Sequence, residues 1–523
     1  MRTLCLALFL ISCGSDSAER PDASPGIDAD IDAADGGGEI TCGAAGPAEQ
    51  VCDGACVDTS TDPDHCGDCT TACTGAQSAC SAGACVAPLT STWVQHFGGG
   101  DFGFGVSGVG VDGAGNTYLA ARFVGTIDLG GGPLVSAGST DIVVASFAPN
   151  GDHRWSRRFG GAESDQATGV AVVGGKLYVT GSFSAAVDFG GGVRTSAGAS
   201  DIFVLAVSAQ TGAPVFDRTY GGTGEDAGLS IGVDASGNIT FGGFFIVDTL
   251  DLGGGNTIST LAFAGFVASI DPAGTHRWSR RLGGDMAADI SSMQALAVDA
   301  AGNVAIAVEF QGTDDFGAGP TTSAGQFDAL IASYTSAGTL RWARRFGAGQ
   351  SDTPAAISVD GSGNVLTGGG FHSTVDFGVA SLTSSGVVDG WVALLEAATG
   401  TTRWVRKIGA ASRSGVNAVA FGADGNAIIS VAADGATNLG TGPLTLFDKD
   451  DIVLAGMQSS TGTTQFANVY GGDDFEGAST LAVTRGGGLV LGGYFRTTVN
   501  FGLASGPIAG GPKDNGFVMM IAH

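Results

Sequence analysis

The sequence predicts an all-β protein, a seven-bladed β-propeller of four-stranded blades preceded by a small disulfide-rich module. Three observations lead to this prediction: a unit that recurs about every 62 residues from Trp93 onward, a glycine count of 91, and no helical periodicity between the recurring units. Glycine weakens helices and suits tight turns, so a chain with 43% hydrophobic residues and this much glycine favours short strands. A fixed period of this length indicates a repeat architecture.

Each repeated unit opens with an aromatic residue and follows one plan. The second unit has WSRRFGGAESD, then the apolar runs QATGVAVV, YVTGSF and DIFVLAVSAQTG, which are separated by GGKL and VDFGGGVRTSAGAS. Short runs of β-branched and aromatic residues bounded by Gly, Asn and Asp are typical of strands and turns, so we expect four strands per unit. Steps of 61, 62 or 64 residues separate the opening residues Trp93, Trp155, Phe216, Trp278, Trp342, Trp404 and Phe466.

The two ends of the repeat region predict how the ring closes. The chain ends on a third strand without a following aromatic strand, whereas the first tryptophan strand precedes any complete unit. We therefore expect residues 93–97 to pair with residues 516–522, so that residues 88–523 form one ring without a broken blade. Most units also carry a turn of the form Asp-x-x-Gly-Asn, such as DGAGN at 112–116, and this turn suits a tight hairpin.

The repeated motifs support a family resemblance. The patterns W-x-x-x-FGG, GVAVD-x-x-GN, G-x-F-x-x-x-x-DFGG and SAG-x-x-D recur over some 430 residues. On these motifs the region resembles the bacterial β-propeller repeat family called SBBP, which implies a propeller. The turns at 172–176 and 484–488 lack the Asp and Asn, residues 259–261 replace SAG, and Asn438 replaces a loop Asp. These departures weaken single turns rather than the ring.

The N-terminus predicts export and a lipid anchor. MRTLCLALFLISCG has one arginine, an apolar run over residues 4–11, and LISC ending at Cys13. It resembles a bacterial lipoprotein signal, which implies removal of residues 1–12, lipidation of Cys13, and attachment at the outer membrane or cell surface. An ordinary secretory signal, with a secreted product, is the alternative. Residues 13–41 then hold eight acidic residues, one arginine and no aromatic residue, a composition that predicts a disordered acidic tether.

Residues 42–87 form a cysteine-rich segment. In an exported chain, so dense and even a set predicts a disulfide module with four bridges whose connectivity stays open. Zinc is the alternative, because Cys66 and Cys69 have ligand spacing. The run CVDTSTDPDHCGDCTTAC resembles the Stig1-type cysteine-rich module and implies an extracellular location. The eight cysteines are Cys42, Cys52, Cys56, Cys66, Cys69, Cys73, Cys80 and Cys85.

The charge distribution limits the partners and metals of the protein. With 23 Lys and Arg against 51 Asp and Glu, the chain repels a phosphate backbone, so nucleic acid is not an expected partner. In a meander the FGG-to-Asp and DFGG-to-SAG loops share one face, where many aspartates would gather. We expect these carboxylates to accept bonds from loop amides, with weak Ca²⁺ binding as the alternative. The calcium candidates are Asp165, Asp188, Asp201, Asp315, Asp328, Asp376 and Asp389.

No catalytic residue is identified. The sequence has no G-x-S-x-G, H-E-x-x-H or P-loop motif, and no repeat gains an acid, base and nucleophile that its siblings lack. The leading hypothesis is a lipid-anchored surface protein that presents propeller loops to a protein or glycan ligand, without a cofactor other than possible Ca²⁺. A polysaccharide-acting hydrolase and a structural envelope component are the alternatives. RWSRRFGG at 154–161 and RWSRRLGG at 277–284 predict outer-strand edges rather than a basic binding patch.

Overall fold

The computed structural model of the chain has only strands and turns in the part that it describes. That part comprises residues 49–52, 55–58, 79–81, 84–86, 89–98, 105–246, 249–253, 255, 257–260, 263–283, 289–409, 413–435, 437–439, 443–447, 449–511 and 513–522. It contains no helix long and apolar enough to cross a membrane. Cys13, the acidic segment and four of the eight module cysteines lie outside it.

The propeller consists of seven antiparallel four-stranded blades, which confirms the predicted fold class. From the innermost to the outermost strand, blade 1 has Gly105–Val111, Thr117–Phe123, Asp141–Phe147 and His153–Phe159; blade 2 has Gln166–Val173, Lys176–Phe183, Asp201–Ser208 and Pro214–Tyr220; blade 3 has Asp226–Val233, Ile239–Ile246, Phe263–Ile270 and His276–Leu282; blade 4 has Ile290–Val298, Val304–Gln311, Asp328–Tyr334 and Leu340–Phe346. Blade 5 has Thr353–Val359, Val365–Phe371, Asp389–Leu395 and Thr402–Ile408; blade 6 has Arg413–Phe421, Ala427–Asp434, Asp450–Met457 and Thr464–Gly472; blade 7 has Glu476–Val483, Leu489–Phe495, Asn515–Ala522 and Thr90–Phe97.

Blade 7 takes strands from both ends of the chain. Its third strand, Asn515–Ala522, pairs antiparallel with Thr90–Phe97, and Met520 lies opposite Trp93. The innermost strands contact one another in a closed cycle, including blade 7 with blade 1. At that contact the Ser479 Oγ donates to the carbonyl of Val106 over 2.8 Å. The ring is therefore closed by pairing between strands that are more than 400 residues apart in the chain.

A short hairpin follows the second strand of every blade, where the sequence predicts a loop. In blade 1 it is Thr126–Asp128 with Pro133–Val135, and Asp128 Oδ1 accepts from the amides of Gly130 (2.8 Å) and Gly132 (3.0 Å). Both glycines have positive φ, so the acid and the two glycines together make the tight turn. The other hairpins are Ala186–Asp188/Val193–Thr195, Thr249–Asp251/Thr257–Ser259, Thr313–Asp315/Pro320–Thr322, Thr374–Asp376/Ser381–Thr383, Thr437–Asn438/Pro443–Leu444 and Thr498–Asn500/Ile508–Ala509.

The recurring tryptophan joins five of the seven blades to the next one. Trp155 is buried, and its Nε1 donates to the carbonyl of Ala209 in blade 2 over 3.0 Å. Gly212, at φ 68°, lies against the ring, where a Cβ would stand 2.5 Å from the indole. Trp93, Trp278, Trp342 and Trp404 donate in the same way to Pro149, Ser336, Ala397 and Ser459. The repeat period in the sequence is thus the period of this contact between blades.

Every innermost strand carries one β-bulge near its start. The register slips by one residue in each of the seven blades, and such a bulge bends the strand and increases its twist. The inserted residues are Ser107, Thr168, Leu229, Gln294, Ala355, Asn417 and Ser479. Sequence reasoning did not predict the bulges, because the apolar alternation of a strand does not show which residue is left unpaired.

Four of the module cysteines lie in short described strands. Cys52 is in Glu49–Cys52, which pairs with Ala55–Asp58, the strand of Cys56. Cys80, in Ala79–Ser81, lies directly opposite Cys85, in Ala84–Val86. The disulfide framework itself stays a prediction.

Candidate ligand pocket at the loop face

The loop face is the face that carries the outer-to-innermost connections and the small hairpins, and most of its carboxylates hold these connections in place. Asp165 is fully buried at the start of blade 2 and accepts from the amides of Gly161 (2.7 Å) and Ser184 (3.0 Å). Burial raises the pKa of Asp165 to about 6. Asp226, Asp352 and Glu476 accept in the same way from Gly222, Ala348 and Gly472. The sequence prediction that these acids bind loop amides agrees with the geometry.

In blade 4 the loop is also held by a buried carboxylate, but that carboxylate stands at a different position of the repeat. Ser291 stands where blades 2, 3, 5 and 7 have the acid, and its Oγ donates to Asp314 over 3.2 Å. Asp314 occupies the middle of the small hairpin, where blades 2 and 5 have Val187 and Val375. Burial raises the pKa of Asp314 to about 6, while hydrogen bonds, including one from the Gly283 amide, act in the opposite direction. In blade 4 the acid thus stands at another position of the repeat but binds the equivalent loop. We therefore assign these loop-binding carboxylates a role in folding.

The seven calcium candidates occupy three kinds of position, and all bind amides. Asp201, Asp328 and Asp389 begin third strands and accept from Ala197, Ala324 and Ser385, whereas Asp188, Asp315 and Asp376 accept from the hairpin glycines Gly190, Gly317 and Gly378. Asp165 belongs to the innermost strands. Within the described residues no group of three or more His, Cys, Asp or Glu side chains could hold a metal ion. Calcium binding is thus a prediction without a described site.

The arginines of RWSRRFGG are bound to the protein itself. Arg154 donates to the Ser146 Oγ over 2.7 Å, and Arg157 donates to the Thr211 carbonyl of the next blade over 3.1 Å. Arg158 pairs with the buried Asp141. In blade 4, Arg341, Arg344 and Arg345 bind Ser333, Thr399 and Asp328 in the same three ways. We call these three arginine contacts per strand the outer belt. Because each arginine already has a partner within the protein, we do not interpret the arginines as a ligand-binding patch.

A cavity of about 280 Å³ opens at the loop-face end of the inner surface, across blades 4 to 6. Its lining includes the bulge residues Gln294, Ala355 and Asn417. The cavity arises at one position of the repeat. This is the residue of each second strand that lies opposite the residue two before the bulge. In blades 1 to 7 it is Arg122, Ser182, Phe244, Glu309, Gly370, Ala432 and Tyr494. Blades 5 and 6 have the two smallest of these residues. Gly370 and Ala432 leave space that larger side chains occupy elsewhere.

A row of charges crosses blade 6 beside this space. Arg413 lies opposite Asp434, which in turn lies opposite Asp450, so the three side chains share one face of the sheet. Arg413 and Asp450 both line the cavity. Asp450 is 7% exposed. Burial raises the pKa of Asp450, Arg413 lowers it, and Asp434 raises it further.

Two further ionisable residues complete the lining. Glu309 accepts from the Nε2 of Gln294 over 3.2 Å, and burial raises the pKa of Glu309 to about 7. His372 is held at the end of its strand, since its amide donates to Asp352 over 2.8 Å and its Nδ1 contacts the Ser351 carbonyl. The pocket therefore brings together two carboxylates, one guanidinium, one imidazole and the amides of Gln294 and Asn417.

The sequence prediction missed this pocket although a signal was present. Arg413 aligns with Ser164 and Glu225 of other blades, and Asp450 aligns with Thr140, Ser200 and Val388. Each departure looks isolated in the sequence, because the charges belong to different strands of blades 4 to 6. A comparison of each loop-end position across the seven repeats would have found them.

The comparisons with known proteins bear on the fold and on the cysteine module. Residues 34–90 match the Stigma-specific STIG1-like protein family. None of the curated proteins compared with the chain matches it.

Solved structures with similar architecture include the quinohemoprotein alcohol dehydrogenase from Comamonas testosteroni, which is 11% identical with a TM-score of 0.39, covering 83% of this chain and 76% of that one. BamB from Moraxella catarrhalis is 11% identical with a TM-score of 0.33, covering 80% and 85%. A protein of unknown function from Dyadobacter fermentans DSM 18053 is 9% identical with a TM-score of 0.39, covering 83% and 98%. At these levels the likenesses carry no information about function.

Proposed function

We propose that the protein is a surface-exposed binding protein, anchored through Cys13 and the tether of residues 13–41, whose propeller presents its loop face to a glycan or protein ligand. The single observation that carries this proposal is the cavity of about 280 Å³ across blades 4 to 6. It lies where the sevenfold pattern is broken, since Arg413 and Asp450 replace residues of different charge in the sibling blades. Rigid elements that position a polar site at a loop-built face are typical of binding proteins.

The N-terminal segments supply the location in this proposal. The STIG1-like match at residues 34–90 supports an extracellular module. The lipobox resemblance and the SBBP resemblance support an outer-membrane or cell-surface protein. Globomycin treatment of expressing cells tests the anchor, because a lipoprotein precursor would accumulate uncleaved, whereas unaffected processing would contradict lipidation of Cys13.

A polysaccharide-acting hydrolase is the second candidate, and a specific observation favours it. Glu309, whose pKa burial raises to about 7, and Asp450 are two carboxylates in one cavity. Glycosidases use a protonated and an ionised carboxyl group in this way. Release of reducing ends from an envelope polysaccharide would favour the hydrolase over the binding protein.

The deciding experiment probes an array of envelope glycans and peptides with the full chain. The Ala432→Tyr variant fills the pocket with the residue that blade 7 has at the same ring position, Tyr494. Ser182→Tyr makes the same change in blade 2, away from the pocket, and is the matched control. Binding that Ala432→Tyr abolishes and Ser182→Tyr retains is the expected result. An array without any bound ligand would overturn the proposal and favour a structural envelope component.

A further inference from the structure

We propose that the pocket binds a small zwitterion, an α-amino acid or the α-amino-acid end of a larger molecule, with its ammonium at Asp450 and its carboxylate at Arg413. This inference rests on the proposed function, because it assigns a ligand class to the same pocket. It is argued from the unsatisfied charges of the cavity, its size and its lining.

The first observation is the Arg413 guanidinium. Among the described residues it donates no hydrogen bond and forms no ion pair, although it is part-buried and lines the cavity. The arginines of the outer belt, in contrast, all have carbonyl, hydroxyl or carboxylate partners. A part-buried guanidinium has five N–H donors to satisfy, and a carboxylate is the acceptor that fits its planar fork.

The second observation is the Asp450 carboxylate. It is 7% exposed and lines the cavity, yet it accepts no hydrogen bond from any residue in the described part of the chain. Withdrawing a carboxylate from water without a partner is costly, so a cation or a donor in the cavity would stabilise the ionised form of this acid. The other buried acids of the loop face obtain amides from their own loops. Asp450 lines the cavity instead.

The third observation is that these two opposite charges are neighbours without touching. Arg413 lowers the pKa of Asp450 through its charge, but the two form no ion pair in the described structure. They stand on the first and third strands of blade 6, with Asp434 between them in the register. A ligand with adjacent charges of both signs can therefore satisfy both groups at once.

The size and lining of the cavity favour an amino acid over a glycan. A volume of about 280 Å³ lies just below the usual range for drug-sized ligands, about 300–1,000 Å³. None of the described lining residues is Phe, Tyr or Trp, so no aromatic face is offered to a sugar ring. The amides of Gln294 and Asn417, and the Glu309 carboxyl group, remain for a polar side chain of the ligand.

The charges around the pocket predict the relative affinities of the zwitterion and of analogues that carry one charge. A carboxylate without an ammonium would meet Arg413 but be repelled by Asp450 and Asp434. An ammonium without a carboxylate would meet Asp450 but leave Arg413 unsatisfied and in repulsion. Both single-charge analogues should therefore bind at least about tenfold more weakly than the zwitterion.

The test is a thermal-shift screen of the full chain against the twenty standard amino acids at neutral pH, followed by calorimetry. The best amino acid is then compared with its α-amide and its deamino acid. We expect a Kd of about 1 mM or tighter for the zwitterion and weakening of about tenfold or more for either analogue. Equal binding of the amide or the deamino acid would overturn the proposal, as would the failure of all twenty amino acids to bind.

Variants place the ligand in the pocket. Asp450→Asn and Arg413→Gln should each weaken zwitterion binding about tenfold or more. Arg413→Gln should also reduce the difference in Kd between the amino acid and its α-amide, because the guanidinium that prefers the carboxylate is gone. Ala432→Tyr should abolish binding, and Ser182→Tyr should leave it unchanged. Thermal melts of all four variants establish that they fold. Binding that survives Ala432→Tyr in a folded variant would overturn the assignment.

The two proposals fail in different ways. An array ligand that is lost in Ala432→Tyr while no amino acid binds overturns the zwitterion inference and leaves the binding function intact. An amino acid that binds in the pocket while the array stays empty supports the inference and overturns the proposed glycan or protein ligand.

Discussion

The outer belt and the pocket use the same residue types in opposite ways. In the outer belt, Arg345 pairs with the buried Asp328, and Arg344 donates to the next blade. In the pocket, Arg413 is close enough to lower the pKa of Asp450, but the two form no ion pair in the described structure. The belt contacts recur in blades 1 and 4, whereas the pocket occurs where the repeat changes.

This difference separates side chains that hold the fold together from side chains that are available for the proposed binding. Contacts that recur between repeats satisfy their own polar groups and so hold the ring together. Polar groups that depart from the repeat and remain unsatisfied carry a cost in stability, and such a cost is typical of a functional site. Four predictions test the comparison, beginning with the largest expected effect.

Deletion of residues 90–97 should abolish the cooperative unfolding transition. The deletion removes Thr90–Phe97, the outer strand of blade 7, and exposes the edge of Asn515–Ala522 together with the core residues that contact Trp93 and Phe97. Differential scanning calorimetry measures the transition. Deletion of eight residues from the acidic segment 14–41 is the control, and it should leave the transition in place. An unchanged melting temperature after loss of 90–97 would contradict closure by this strand.

Trp342→Ala should lower the free energy of unfolding by about 3–5 kcal/mol, because it creates a cavity between blades 4 and 5 and removes the bond to the Ala397 carbonyl. Trp342→Phe should cost only about 1 kcal/mol, since it mainly loses the indole bond. Blades 2 and 6 already have Phe216 and Phe466 at this position. Denaturant unfolding measures both variants, and equal losses would show that packing does not dominate the contact.

Glu476 should make the protein less stable as the pH rises. Burial, reinforced by Asp451, Asp473 and Asp474, raises the pKa of Glu476 from 4.5 to about 8. Between these values the folded state holds a proton that the unfolded state has lost, so the free energy of unfolding falls with rising pH, by at most about 1.4 kcal/mol per pH unit.

Glu476→Gln replaces the titrating carboxyl group with an amide that does not titrate. The melting temperature of this variant should therefore depend less on pH between 5 and 8 than that of the unchanged protein. Glu225→Gln, at an exposed acid of another loop, is the matched control. Parallel pH profiles for Glu476→Gln and the unchanged protein would rule out a raised pKa at this residue.

The smallest effects should distinguish the two kinds of arginine. Arg345→Met breaks a bond to a fully buried carboxylate and should cost about 2 kcal/mol. Arg413→Met removes no hydrogen bond of the described structure and should change stability by no more than about 0.5 kcal/mol. Urea unfolding of both variants gives the comparison. A loss at Arg413 as large as that at Arg345 would mean that Arg413 belongs to the fold rather than to a site.

Much of the fold could be predicted because the same pattern of strands and turns occurs seven times in the sequence. The period of Trp93 and its equivalents gives the number of blades, and the runs between turn residues give four strands in each. The small hairpins were expected as loops, since their three-residue strands are too short for alternation to be visible. The bulges were missed because a shift of one residue depends on the curvature of the inner surface.

The candidate site was less predictable from the sequence for a different reason. Gly370 and Ala432 create the pocket through what they lack, and small residues in a glycine-rich chain give no signal of their own. The loop aspartates such as Asp165, in contrast, were expected to bind loop amides, because an acid next to a glycine-rich turn has amide donors within reach.

The sequence by itself determined the all-β class, the sevenfold repetition and the joining of the two chain ends, because these follow from local patterns and their spacing. Only the tertiary structure decided which charges are satisfied. Arginines of the same type lie on both the outer strands and the pocket wall, and whether each finds a partner depends on distances across strands and blades. The ring curvature sets those distances, and no single repeat encodes it.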